Sequence, residues 1–221
     1  MMRFHPQIQY LRELVAKGTI GDIRLIRGVF AFTLENPGDI RLDVAMAGGS
    51  LWDLGSYCVS FARTVLQAEP TEVSAYQVSG DTGVDMNFSA QMQFPTGTLV
   101  QFFSSFQSFP HIEADLLGTE GRIYADIPWA NHIGASAKVQ ITQSGNTEGT
   151  STFSDSMEGH TIDTKTYENM NAYQCEVDSM VASVLDGVEP VISLTDSWKN
   201  VATIVALHES ARIGKPVEPA T

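Results

Sequence analysis

The sequence predicts an α+β domain, a large, open, mostly antiparallel sheet with helices packed on one face. Three observations carry that expectation. Short segments with strand character fill the middle of the chain, helical stripes stand at both ends, and no two of the 18 glycines are two residues apart. Without any G-x-G there is no G-x-G-x-x-G turn, and no phosphate-cradling G-x-x-x-x-G-K-[ST] loop occurs either, so no doubly wound Rossmann domain is expected in this chain. Neither a linker nor an internal repeat is visible, and residues 1–221 read as a single domain.

The elements follow in order. Pro6 suits a first helical turn, Ile8, Leu11 and Leu14 recur at helical spacing, and Gly18 ends the helix. A turn at Ile20-Gly21-Asp22 leads to a strand over Ile23–Phe32, and a polar loop runs from Glu35 to Gly49. Leu51, Leu54, Cys58, Phe61 and Val65 form the buried stripe of a second helix, Leu51–Leu66. Strands are expected at Val73–Val78, Met86–Phe94, Thr98–Phe106, Glu113–Leu117 and Gly121–Asp126, with a last pair at Val139–Ile141 and Gly149–Phe153. Two helices close the chain. The first buries Tyr173, Val177, Met180 and Val184 and stops at Gly187. The second is capped by Thr195 or Asp196, buries Trp198, Val201, Ala202 and Val205, and stops at Gly214 with Pro216.

Composition narrows the function. With 43% hydrophobic and 18% charged residues the chain is ordinary globular material, and 221 residues bury about 70% of the unfolded surface without help from a metal or disulfide. A net charge of −13 repels phosphate backbones, so no nucleic-acid partner is expected. Two distant cysteines, Cys58 and Cys175, read as reduced thiols of a cytoplasmic protein. No signal peptide and no membrane span is visible.

The most informative stretch is Gly48-Gly49-Ser50-Leu51-Trp52-Asp53-Leu54-Gly55-Ser56-Tyr57. Asp53 and Tyr57 are i, i+4 on a helix and meet on a face away from the apolar stripe. A carboxylate beside a phenol can do acid–base work where a cation lowers the tyrosine pKa. The same pattern equally describes a first-turn Asp near the helix dipole and a Tyr half-buried at a sheet edge. Arg41 and Asp43 could contact a polar ligand or form a solvated pair, and Trp129 and Phe109 could line a pocket or simply pack. His5, His111, His132, His160 and His208 show no metal-ligand spacing, so no metal is expected. Ser50 and Ser56 lack a nucleophile elbow.

Beyond the spacing, Gly48-Gly49-x-Leu51-x-Asp53-x-Gly55-x-Tyr57 resembles the GG-x-L-x-D-x-G-x-[YH] signature of the Gfo/Idh/MocA oxidoreductases. Arg3-Phe4-His5-Pro6-Gln7, Gly18-Thr19-Ile20-Gly21-Asp22, Gly83-Val84-Asp85, Phe94-Pro95-Thr96-Gly97, Gly118-Thr119-Glu120-Gly121 and Ser210-Ala211-Arg212 with Gly214-Lys215-Pro216 fit it in the same order. Tyr57 in place of His resembles the branch with glucose–fructose oxidoreductase, xylose dehydrogenase and the dihydrodiol dehydrogenases. The resemblance implies the substrate and oligomerisation domain of an NADP- or NAD-dependent enzyme acting on a sugar, polyol or dihydrodiol. It implies Tyr57 as acid/base, Asp53 as its partner, Arg41, Gly49 and His160 as substrate contacts and Arg3 at the cofactor edge. Residues 1–20 resemble the junction to the family's dinucleotide domain, which is missing together with its catalytic lysine. The expected partners are a sugar-like substrate, a second copy across the sheet in a homodimer or higher oligomer, and a separate Rossmann-domain chain. The alternative is a non-enzymatic dimerising or sugar-binding module.

Overall fold

A computed structural model describes residues 1–130, 136–143 and 160–220. Helix α1 (Pro6–Ala16) starts where His5 Nδ1 accepts the Gln7 amide proton at 3.1 Å, with Pro6 in the first turn. Buried Gln7 donates from Nε2 to the carbonyls of Asp126 and Lys138, which ties α1 to the sheet. Strand β1 (Ile23–Thr33) then enters the middle of an eight-stranded sheet.

The loop after β1 holds two 3-10 turns, Ile40–Leu42 and Val44–Met46. The second helix opens with one π turn, Leu51–Gly55, before α2 (Ser56–Leu66). Such turns are frequent at functional sites. Leu51, Leu54, Cys58, Phe61 and Val65 are all buried, as their spacing predicts.

Strands β2 (Glu72–Ser79), β3 (Asp85–Gln93) and β4 (Leu99–Ser105) form one meander; β5 (Gln107–Gly118), β6 (Gly121–Asp126), β7 (Ala137–Gln143) and β8 (Thr161–Tyr167) form another. The order is β2-β3-β4-β1-β5-β6-β7-β8, and only the β1–β4 pair is parallel among the described residues. Strands β4 and β5 are joined by Phe106 alone, so the chain turns back around the end of β1, and Leu34 donates its amide proton to the Phe106 carbonyl at 2.9 Å. Met86, Phe88, Ala90 and Met92 of β3 point into the core and Ser89, Gln91 and Gln93 point out, the period-two pattern of a half-buried strand.

Helices α1, α2 and α4 (Leu194–Ile213) lie on one face: α4 against β2, α2 against β1, α1 against α2 and β7. Helix α3 (Ala172–Asp186) packs on the Met2–Phe4 turn. The α+β expectation therefore holds: a large, mostly antiparallel open sheet with its helices to one side.

Three details depart from the sequence reading. Strand β7 pairs with β8, a strand the sequence did not announce, while the expected Gly149–Phe153 strand lies outside the described residues. The cap of α4 is Ser193, whose Oγ accepts the Asp196 amide proton at 3.0 Å; Asp196 itself faces Arg3 and Arg63. The apolar stripes of the last two helices point outward. Met180 is 61% exposed, Val184 71% and Val205 52%, and Tyr173, Val177, Trp198 and Val201 are exposed as well. Helix α4 instead buries Thr203, Ile204, Ala206, Leu207 and Ser210, because β2 meets it on that side. Both cysteines are free thiols, with Cys58 buried. No helix among the described residues is long and apolar enough to cross a membrane.

Candidate active site

The site grows from the double glycine. Gly48 approaches the loop so closely that a Cβ there would stand 2.4 Å from the Arg41 carbonyl oxygen. Gly49 holds φ +121, a conformation that favours glycine, and a Cβ would stand 2.1 Å from Asp85 Oδ1. The close packing lets the Gly49 amide donate to the Arg41 carbonyl at 2.9 Å. One turn on, Arg41 Nε donates to Asp53 Oδ2 at 2.8 Å, while Arg41 Nη1 reaches Asp39 at 3.3 Å. Arg41 is thus paired with Asp39 and Asp53; Asp43 turns away and accepts the Ala45 amide proton.

Tyr57, the first α2 residue after Ser56, is partly buried. Its ring meets the edge of Phe30 at 5.5 Å; Phe30 stacks with Trp129, and Trp129 meets Phe61 at 5.2 Å. Trp129 is therefore core, with its indole N–H donating to the Val29 carbonyl, and Phe109 is an exposed residue of β5. Burial pushes the Tyr57 phenol above its usual pKa; the Tyr173 phenol and the Asp53 and Glu176 carboxylates add to this, and Arg41 opposes it. The phenol keeps its proton at neutral pH and is a donor.

Tyr57 lines a cleft of about 210 Å³ with Arg3, Ser56, Ser60 and Asn200. Asp53 lines a second cleft of about 220 Å³ with Arg41, Gly48, Gly49 and Trp52. Asp53, Arg41 and Gly49 thus share one cleft and Tyr57 and Arg3 the other, with Asp53 and Arg41 near enough to act on the Tyr57 phenol. His160 is not brought to them. It is exposed just before β8, the far edge strand, at the end of the sheet where β1 begins. The Asp53–Tyr57 segment stands over the opposite end, beside Phe30.

The residues present do not fit a whole dinucleotide. A cleft of about 210 Å³ is smaller than the roughly 300–1,000 Å³ of ordinary ligand pockets. Arg3 is largely buried and its guanidinium is engaged, Nε with Ser60 Oγ at 2.8 Å and Nη1 with Asp196 at 2.6 Å. Among the described residues, no cluster of three or more His, Cys, Asp or Glu is arranged to hold a metal.

Asp85 was not legible as a site residue. It sits in the Gly83-Val84-Asp85 turn of the motif set, yet its carboxylate reaches under the Gly49–Leu51 backbone. Trp52 and Ser60 also line the clefts without a sequence signal of their own.

The profile of the GFO/IDH/MocA C-terminal domain matches residues 8–124, and the chain belongs to the Gfo/Idh/MocA family. It is 30% identical over 219 residues to D-xylose 1-dehydrogenase (NADP(+)) 2 of Haloferax volcanii, covering 99% of this chain and 62% of that protein. It is 38% identical over 129 residues to trans-1,2-dihydrobenzene-1,2-diol dehydrogenase of Mus musculus, covering 58% of this chain and 38% of that one. Aldose-aldose oxidoreductase from Caulobacter crescentus, crystallised with glycerol, superposes with a TM-score of 0.83 at 23% identity, over 98% of this chain and 62% of its own. The chain thus spans about three fifths of the length of the xylose dehydrogenase and of the aldose oxidoreductase.

Proposed function

We propose that this chain is the substrate-side domain of an NADP- or NAD-dependent oxidoreductase acting on a sugar, polyol or dihydrodiol. The observation that carries the reading is the convergence of Tyr57, Asp53 and Arg41 at one helix start beside open clefts. When bound, a nicotinamide held by a dinucleotide-binding unit, in the same polypeptide or a separate chain, would supply the hydride chemistry. This chain's own residues handle the proton and the substrate. The protonated Tyr57 phenol donates to a carbonyl oxygen as negative charge grows on it. Asp53, fixed by Arg41 Nε, orients the neighbouring hydroxyl, and the Gly48–Gly49 backbone lets a ligand approach closely. Removing a proton from an alcohol needs a further cation near the phenol, since the lowering influence of Arg41 on it is outweighed among the described residues. Substrate contacts are assigned to Arg41 and Gly49, with His160 left as a surface residue, and a homodimer or higher oligomer through the open sheet face completes the assembly.

The outward stripe on α3 and α4 supports the reading, since among the described residues no element covers it. The experiment supplies a dinucleotide domain by fusion or in trans, for instance that of the Haloferax volcanii relative, and assays NADPH-dependent reduction of sugar-derived carbonyls. Turnover is expected only with the added domain, and Tyr57→Phe is expected to lower it by about 10²–10⁴-fold. Saturable micromolar NADPH binding by the chain alone would overturn the claim that it lacks the cofactor's seat. A second reading, a non-enzymatic dimerising or sugar-binding module, is favoured by the small clefts and the engaged Arg3. It gains if the chain alone binds sugar and Tyr57→Phe changes nothing.

A further inference from the structure

Asp85 is 2% exposed and forms no ion pair with Lys or Arg among the described residues. Its Oδ2 accepts two hydrogen bonds from the site segment, Ser50 Oγ at 2.8 Å and the Leu51 amide at 2.7 Å. Its Oδ1 lies where only a glycine at position 49 leaves room. Ser50 Oγ also stands 3.2 Å from the Ser104 carbonyl and hydroxyl oxygens of β4. Ser50 itself is fully buried. Beside this cluster the His208 ring lies 6.0 Å from Trp52 and 5.6 Å from Phe88, with its Nε2 buried and without a hydrogen-bond partner.

The helix start has no capping side chain of its own: the residue before Leu51 makes no side-chain cap. A buried carboxylate from another strand does that work. It pins Ser50 and Leu51, two of the three residues lying between Gly49, which is bonded to the Arg41 backbone, and Asp53, which is bonded to the Arg41 side chain. Burial pushes the Asp85 carboxyl above its usual pKa, while the bonds from Ser50 and Leu51 and the nearby His208 oppose this, and a fold keeps such a buried group where the bonds it accepts fix something. A capping bond that served the helix alone would not require a positive-φ glycine pressed against the carboxylate.

We propose that Asp85, acting through Ser50 and the Leu51 amide, is a positioning residue that sets the angle at which Asp53 and Arg41 face Tyr57. The inference rests on the reading of Asp53 and Tyr57 as the reacting pair, but its test does not depend on turnover. In the full chain labelled with ¹⁵N, amide hydrogen exchange at Leu51 and the Arg41 Nε–H resonance are compared in wild type, Asp85→Ala, Asp85→Asn and Val139→Ala. Val139 is a buried β7 residue remote from the site and controls for general loss of stability. In Asp85→Ala, Leu51 is expected to exchange roughly tenfold faster or more, and the Arg41 signal to shift and broaden. Asp85→Asn, whose carboxamide oxygen still accepts, is expected to recover most of both. Val139→Ala is expected to lower the urea midpoint and leave both local readouts unchanged.

The inference is overturned if Asp85→Ala leaves both readouts at wild-type values, or if Val139→Ala moves them equally. Should Asp85→Ala fail to fold, Ser50→Ala removes one of the two bonds alone; the same changes at smaller size support the inference, and none overturns it. Failure here leaves the Tyr57→Phe assay intact, and failure there leaves these spectra intact, so the two claims fall separately.

Discussion

His5 shows how one buried side chain sets a pH limit. Its Nδ1 accepts the Gln7 amide proton and so must carry a lone pair, and its ring is buried against Tyr167. Burial pushes its pKa from 6.5 down to about 4. The unfolded chain binds a proton there near pH 6.5 and the folded chain only near 4, so stability is full above 6.5 and falls as the pH drops toward 4. The loss from this residue is expected to reach about 3 kcal/mol at pH 4. Urea denaturation at pH 7 and pH 4.5 checks it: His5→Asn keeps a capping acceptor without the titration, and its stability should decline less between the two values. Cys58 shows the opposite kind of residue, a buried thiol whose pKa burial raises, which makes it packing material against Gly28 rather than a nucleophile. At this scale Tyr57 and Asp53 were legible because a motif names them. Asp85 was not, because a carboxylate's partner on another strand leaves no mark in spacing.

Among the elements, α4 carries the sharpest difference between pattern and packing. Trp198, Val201 and Val205 make a good helical stripe, but β2 presents its buried residues to Ile204, Leu207 and Ser210 instead; Ser210 Oγ even accepts the Ala75 amide proton at 3.1 Å. Leu207→Ala should therefore cost about 2–5 kcal/mol, as core truncations do. Val205→Ala should stay within about 0.5 kcal/mol. Chemical denaturation of the two variants separates the faces, and equal losses would mean the outward stripe is covered. The stripe from Leu51 to Val65 was legible because every member is buried. Strand β8 was not: Thr161, Asp163, Thr164, Lys165 and Thr166 alternate without an apolar face and form an exposed edge. The first half of β5 was hidden in the same way, being exposed, with Pro110 close to the register shift near its start.

For the molecule as a whole, the sheet and its helix layer were legible, and the exposed apolar run from α3 into α4 was not. Val184, Leu185, Val188, Val191 and Leu194 run together in sequence across the end of α3 into α4, and each is more than half exposed. Soluble monomers rarely leave an apolar patch of this kind uncovered. With the chain alone, dye binding to this surface and association that grows with concentration are expected, and Val184→Glu together with Leu194→Glu should reduce both without lowering the urea midpoint. Unchanged dye binding in that double variant would place the exposed surface elsewhere. The net charge of −13 sets a counterweight, keeping separate copies apart at low salt and less so as salt is added.

The placement of β1 also bears on the order in which this protein can assemble. Leu25 of β1 pairs with Leu99 on one side and Leu117 on the other, so this strand has no neighbour until β4 and β5 exist. Pairings this distant along the chain slow the search for the native topology. Until they form, β1 is an unprotected hydrophobic strand, and its far end is wrapped only when the turn at Phe106 is made.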